Sequence, residues 1–234
     1  MTTRPLAMVA GIGEGLGANL AATFASAGYD VVGLSRTERV SPVIGEAVRE
    51  AGGAYTHLLA DLTQETEAVA AIRPIADRVD VLIYTAHTLL IRPFIETSSR
   101  QLEELWRAGC FGAMLVCREV MPGMVARGSG TIIFTGATAS VKGGAGFSAF
   151  ASAKFALRGF AQALAREFGP KGVHVAHVVV DGLIEEQQTV VRFGESTAAR
   201  LDAGAIAEAY LYLARQHRSA WSHEIDLRPF SERF

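Results

Sequence analysis

Seven short, nearly continuous apolar runs alternate with six longer stretches of helical periodicity along this chain. Few folds accommodate that order. The runs are Leu6–Ala10, Asp30–Ser35, Ala54–Ala60, Val79–Thr85, Thr131–Thr135, Val173–Val180 and His223–Arg228. Their lack of in–out alternation predicts strands buried on both faces, as in a parallel sheet. Between them, Leu16–Ala27, Ser41–Ala51, Gln64–Asp77, Ser98–Arg127, Ser148–Phe168 and Ala203–Gln216 predict helices to cover those faces. The expectation is an α/β fold, a doubly wound parallel sheet of about seven strands. A single domain over residues 1–234 follows, since no linker, repeat or low-complexity tract interrupts the pattern. Residues 183–202 are polar and aperiodic, which predicts a loop or lid over a substrate site.

Composition narrows the partners. With 50% hydrophobic and 20% charged residues, disorder is excluded. The 22 basic and 24 acidic side chains leave no basic excess for nucleic acid or an anionic membrane. The first apolar run is too short for a signal peptide or a membrane span, and no apolar stretch reaches about 18 residues, so a cytoplasmic protein is expected. Cys110 and Cys117 lie about 10 Å apart by helical rise, too far for a disulfide, which predicts two free thiols in a reducing interior.

The glycines carry the first chemistry. Gly11, Gly13, Gly15 and Gly17 stand between the first strand and the first helix, in VAGIGEGLG. A turn without Cβ atoms lets backbone N–H groups and a helix N-terminus approach a pyrophosphate. The spacing Gly11-x-x-x-Gly15-x-Gly17 fits one dinucleotide-binding pattern, while a Gly-x-Gly-x-x-Gly count from Gly11 fails; a plain strand-to-helix turn is the simpler alternative. At the end of the second strand, where a carboxylate would hold a ribose 2′-hydroxyl, stand Ser35 and Arg36. A hydroxyl donor and a guanidinium suit a 2′-phosphate, so NADP(H) is expected over NAD(H), with Glu14 nearby as an opposing charge.

These features, with Asp61-Leu62 after the third strand and Ala86 in LIYTAH after the fourth, resemble the short-chain dehydrogenase/reductase family over essentially the full length. The segment FSAFASAKFAL at the start of the helix Ser148–Phe168 is similar to the family's segment with tyrosine and lysine four apart. The resemblance implies a single NAD(P)-binding Rossmann-like domain and hydride exchange with a small carbonyl or alcohol. It also implies a homodimer or homotetramer, and cofactor contacts at Gly11, Gly15, Leu16, Gly17, Asp61, Leu62, Ala86 and Lys154.

At the catalytic positions the chain departs from the family. Lys154 matches the family lysine, which holds the nicotinamide ribose and lowers a phenol pKa. The tyrosine position is Phe150, the serine position Ala137 and the asparagine position Gly109. The family's Asn-Asn-Ala-Gly stretch reads Tyr84-Thr85-Ala86-His87, and its Pro-Gly turn reads Asp181-Gly182. Carbonyl reduction delivers a proton to a developing alkoxide, and phenylalanine has none to give; losing a positioned acid typically costs about 10²–10⁴ in rate. Substitutes would be Thr85, His87, Thr138, Ser148 or Lys154 itself, while Ser152 faces away from Phe150. Two readings follow: an oxidoreductase with an atypical site, or a non-catalytic NADP(H)-binding protein.

Other chemistries fare worse. His174 and His177 are three apart on a strand and point to opposite faces, so no metal site is expected. Neither a Gly-x-Ser-x-Gly elbow nor a Walker-type loop occurs. Glu185 and Glu186 are expected as a solvated pair, and Trp106 and Phe111 as core or interface. Phe150, Phe155, Leu157, Phe160 and Leu164 give one helix more apolar surface than a sheet-facing stripe needs, which predicts a two-fold mate.

Overall fold

The computed structural model describes residues 4–193 and 200–231. Its strands are β1 (Leu6–Ala10), β2 (Asp30–Ser35), β3 (Tyr55–Leu59), β4 (Val79–Tyr84), β5 (Gly130–Thr135), β6 (Val173–Val180) and β7 (Glu224–Leu227). The helices are α1 (Leu16–Ser26), α2 (Ser41–Glu50), α3 (Glu65–Ile72), α4 (Ser99–Trp106), α5 (Gly112–Arg127), α6 (Ser148–Phe168), α7 (Gln187–Phe193) and α8 (Ala203–Ala214). All strand pairs are parallel, in the order β3-β2-β1-β4-β5-β6-β7. The fold is the doubly wound, Rossmann-like sheet that the alternation predicts.

Burial follows position in the sheet. Every residue of β1 and β6 is buried, whereas the edge strands β3 and β7 are only partly covered. Within β1, Leu6, Met8 and Ala10 enter the core shared with α3, α5 and α6. Ala7 and Val9 enter the core shared with α1, α2 and α8. Side-chain alternation thus feeds two cores from one continuous apolar run.

Four expectations need correcting. The helix expected over Gln64–Asp77 stops at Ile72, because Pro74 cannot continue it, and a 3₁₀ turn at Ala76–Arg78 follows. The helix expected over Ser98–Arg127 is interrupted by a π-helical turn at Arg107–Phe111. That helical run, Ser99–Arg127, is also long and apolar enough by length and composition to cross a membrane, contrary to the reading of apolar runs alone. Arg118 and Glu119 cut the runs short, yet the window around them stays apolar on average, and most of it is buried in the core. Finally, the expected loop 183–202 contains α7, and its residues 194–199 lie outside the described residues.

The strand order reverses between β1 and β4. In open α/β sheets the crevice at such a switch point, beyond the carboxyl ends of the strands, is where ligands bind. Gly11, Ser35, Asp61, Thr85, Ala137 and Asp181 all follow or end strands on that edge.

Candidate active site

The turn after β1 is shaped by its glycines. Gly11 has φ +94°, a left-handed conformation, and a Cβ there would overlap the backbone of Ala86. The Ala86 N–H in turn donates to Ala10 O at 3.2 Å, so the ends of β1 and β4 abut. A Cβ on Gly17 would come within 3.1 Å of Ile12, which lets α1 start tight against the turn. Gly15 caps α1 without any side-chain hydrogen bond, leaving the helix N-terminus open to an acceptor. An acceptor is there. The Glu186 carboxylate lies where a Cβ of Gly15 would be, and the Leu16 N–H hydrogen-bonds to it. Burial raises the Glu186 pKa, with the Leu16 N–H opposing. Glu185 is exposed but Glu186 is half-buried, so the two are not the solvated pair expected. Leu16 and Leu62 place their side chains in the two cores, and only the backbone of Leu16 faces the cradle.

At the end of β2 the Ser35 hydroxyl donates to Thr37 O at 2.8 Å and lies 3.2 Å from His57 Nε2. Its hydroxyl thus engages the carbonyl two residues on. Arg36 is exposed on the same rim. Glu14 pairs with Arg39 at 3.2 Å, so the opposing charge is countered. Asp61 accepts from the N–H and hydroxyl of Thr63 at 2.9 and 2.8 Å, an Asx turn that orients its carboxylate after β3.

At the other end of the crevice stands Lys154, 2% exposed. Its ammonium donates to Thr135 O at 2.8 Å and sits 5.6 Å from the centre of the Phe150 ring. Burial brings its pKa down to about 8. Phe150 packs with Leu105, Ala139, Ala149 and Ala151, and Ala137 lies against the same cluster. The floor that would carry phenol and serine hydroxyls is therefore apolar. Gly109 falls in the π-helical turn, and a Cβ there would come within 3.0 Å of Ala153. The bulge presses so closely on α6 that a larger residue needs α6 to give.

The substitute donors separate clearly. The Thr85 hydroxyl donates to Gly11 O at 2.9 Å, and that of Thr138 donates to Asp181. Ser152 donates to Ala149 O, facing away from the crevice. His87 stacks near Phe150, ring centres 6.1 Å apart, and its Nδ1–H donates to Thr85 O at 2.9 Å. His87 is exposed; the atoms crowding its inner edge first, and the Lys154 charge second, lower its pKa. Neutral His87 presents an acceptor at Nε2, not a proton. Ser148 Oγ is buried without a partner. Lys154 is the cation that faces the Phe150 ring.

Asp181, in place of a turn proline, is buried and pairs with Arg228 at 3.3 Å, fixing the end of β6 to the segment after β7. A network the sequence reading did not single out lies below Lys154. Arg158, one turn along α6, binds Glu224 bidentately at 2.7 and 2.6 Å, and Glu224 accepts from His177 at 2.9 Å. Desolvation first holds His177 down to about 4, so it is neutral and donates through Nδ1. His174 instead faces Ser222 O and stacks on Trp221. Among the described residues no cluster of three metal-ligating side chains occurs. Cys110 and Cys117 are buried free thiols.

The expected apolar excess of α6 is mostly absorbed by the chain itself. Phe150, Leu157 and Leu164 are buried, and Phe160 packs on Phe134 at 5.7 Å. Only Phe155, 44% exposed, is left over on that helix, with Trp106 partly exposed on α4 and stacked on Phe111.

Residues 5–190 match the family model described as short chain dehydrogenase. A 2-dehydro-3-deoxy-D-gluconate 5-dehydrogenase of Pseudoalteromonas atlantica is 30% identical over 189 residues, spanning 79% of this chain and 74% of its own. The crystal structure of a short-chain dehydrogenase from Rhodopseudomonas palustris is 34% identical with a TM-score of 0.84, covering 98% of this chain and 100% of that one. A metagenomic short-chain oxidoreductase solved in complex with NADP shares the fold at a TM-score of 0.84 and 24% identity, over 96% and 97% of the two chains.

Proposed function

The chain belongs to the short-chain dehydrogenase family of oxidoreductases, and on that premise we propose that it is an NADP(H)-preferring enzyme acting on a small carbonyl or alcohol through an atypical proton donor. The observation that carries this reading is Lys154: buried, charged and kept at the family's lysine position, although the tyrosine and serine positions are apolar. A buried ammonium is costly, and a chain with no use for it is expected to lose it.

The cofactor's pyrophosphate would lie in the Gly11–Gly17 turn at the N-terminus of α1, whose open cap and glycine surface fit an anion. That a carboxylate of the chain already sits there supports the fit. Arg36 would take the 2′-phosphate, and Lys154 the ribose near the nicotinamide. When bound, the nicotinamide supplies or accepts the hydride. Lys154 then holds the proton at Nζ. With a pKa near 8 it is protonated at neutral pH and sits within range of a useful acid. The apolar cluster around Phe150 excludes water from the same floor.

Two measurements test the binding half of this reading. Calorimetric titration should show NADPH binding about tenfold tighter than NADH. Arg36→Ala should erase that difference with little effect on NADH; equal affinities in the wild type contradict the assignment. A screen of NADPH oxidation across aldehydes, ketones and quinones then finds the substrate class.

We further propose a homo-oligomer, homodimer or homotetramer, in the cytoplasm, where two buried thiols stay reduced. Its interface would use α4 and α6, which pack together and leave Trp106 and Phe155 exposed. Light scattering at micromolar concentration should give at least a dimer, and Phe155→Glu should weaken it. A wild-type monomer contradicts this.

A further inference from the structure

The pyrophosphate cradle proposed above already holds an anion that belongs to the chain. We infer that Glu186 is a built-in competitor for that cradle and sets how tightly any dinucleotide binds. The inference rests on the cofactor reading of the preceding section.

Three observations converge on it. The Glu186 carboxylate occupies the space beside Gly15 that a Cβ would fill, and it accepts the Leu16 N–H. It therefore makes the contact that a phosphate oxygen at an uncapped helix N-terminus would make. Its placement is also held from both sides. Before it, Glu185 N–H donates to Leu201 O at 2.8 Å and Leu201 N–H donates to Leu183 O at 2.9 Å, around a parallel bridge between Ile184 and Leu201. After it, Thr189 N–H donates to Glu186 O at 3.0 Å, and α7 reaches across the crevice, where Arg192 donates to Leu89 O at 2.8 Å. The segment from Leu183 to Phe193 thus spans the crevice with Glu186 at the cradle.

A carboxylate and a pyrophosphate cannot share one set of N–H groups. Their charges repel, and the space beside Gly15 holds one acceptor. Dinucleotide binding therefore requires Glu186 to leave, and part of the binding energy is spent on that exchange. The cost is common to NADPH and NADH, because both carry the same pyrophosphate. Arg36, by contrast, bears only on the 2′-phosphate. The two residues should separate cleanly by experiment.

Calorimetry on the intact protein with Glu186→Gln and Glu186→Ala, using NADPH and NADH as probes, tests this. Both variants should bind both nucleotides about tenfold more tightly than the wild type, leaving the NADPH-to-NADH ratio unchanged. A second readout needs no nucleotide: hydrogen exchange at the Leu16 amide should be faster in free Glu186→Ala than in the free wild type. Wild-type affinities in both variants overturn the inference while leaving the cofactor reading intact. Failure of wild type and variants alike to bind either nucleotide overturns both.

Discussion

The double variant Phe150→Tyr/Ala137→Ser is expected to reduce an activated carbonyl, such as a 1,2-diketone, about 10²-fold faster than the wild type. The Phe150 ring centre lies 5.6 Å from Lys154 Nζ, one helical turn away on α6. Adding a hydroxyl to that ring puts a phenol beside a buried ammonium, which favours the phenolate and lowers its pKa toward neutrality. Ala137→Ser adds a donor from the end of β5, where the apolar cluster now offers none to a developing alkoxide. Two controls separate this from general loosening of the cleft. NADPH affinity should be unchanged, and adding Lys154→Met should abolish the gain. A double variant that binds NADPH normally but shows no gain would mean that the floor is closed or misaligned for hydride transfer.

Asparagine at 109 is a poorer route to the same end. Gly109 sits in the π-helical turn with Ala153 close by, so its side chain cannot be restored without moving α6. Of the three departures from the family pattern, this one meets a neighbouring helix, whereas Phe150→Tyr and Ala137→Ser each add only a hydroxyl to the cluster they already pack in.

Much of the fold was legible in the sequence because burial on both faces makes a strand continuous in apolar residues. β1, β2, β6 and α6 have the bounds read from the sequence. The edge strand β3, Tyr55-Thr56-His57-Leu58-Leu59, is shorter than expected because one of its sides is open. The π-helical turn left no mark, since one extra residue in a helical turn hardly disturbs a stretch apolar on several sides. α7 was hidden for the opposite reason, being short and polar. Within the site, the glycine turn and Lys154 were readable as local spacings. Glu186 was not, because its partner is the backbone of Leu16, which the chain brings near only through folding. Nor was the contact of Ser35 with Thr37, which depends on a carbonyl two residues on turning back toward it.

Lys154→Met is the substitution with the other large expected effect, and it bears on the proton itself. The side chain keeps nearly the same length and apolar stem, so the buried site stays filled while its charge is removed. If Lys154 supplies the proton, NADPH-dependent carbonyl reduction should fall by about 10²–10⁴, the usual contribution of a positioned acid. The wild-type rate should also depend on pH in a stated direction. Because burial lowers the Lys154 pKa to about 8, the ammonium is present below that value and lost above it. Carbonyl reduction should therefore decline as pH rises through about 8, and alcohol oxidation, which needs the free amine to accept a proton, should increase. Rates measured at saturating NADPH separate proton supply from ribose binding, which is read as a loss of NADPH affinity in the variant.

The most direct test of the whole account is NADPH consumption by the wild type with the best carbonyl from the substrate screen, followed from pH 6 to pH 10 beside Lys154→Met, a range of about two units either side of the Lys154 pKa. Turnover in the wild type should fall through about pH 8, with a loss of at least about 10² in the variant at neutral pH. Wild-type protein that binds NADPH yet consumes none with any carbonyl, or that turns over as fast with methionine at 154, would contradict it.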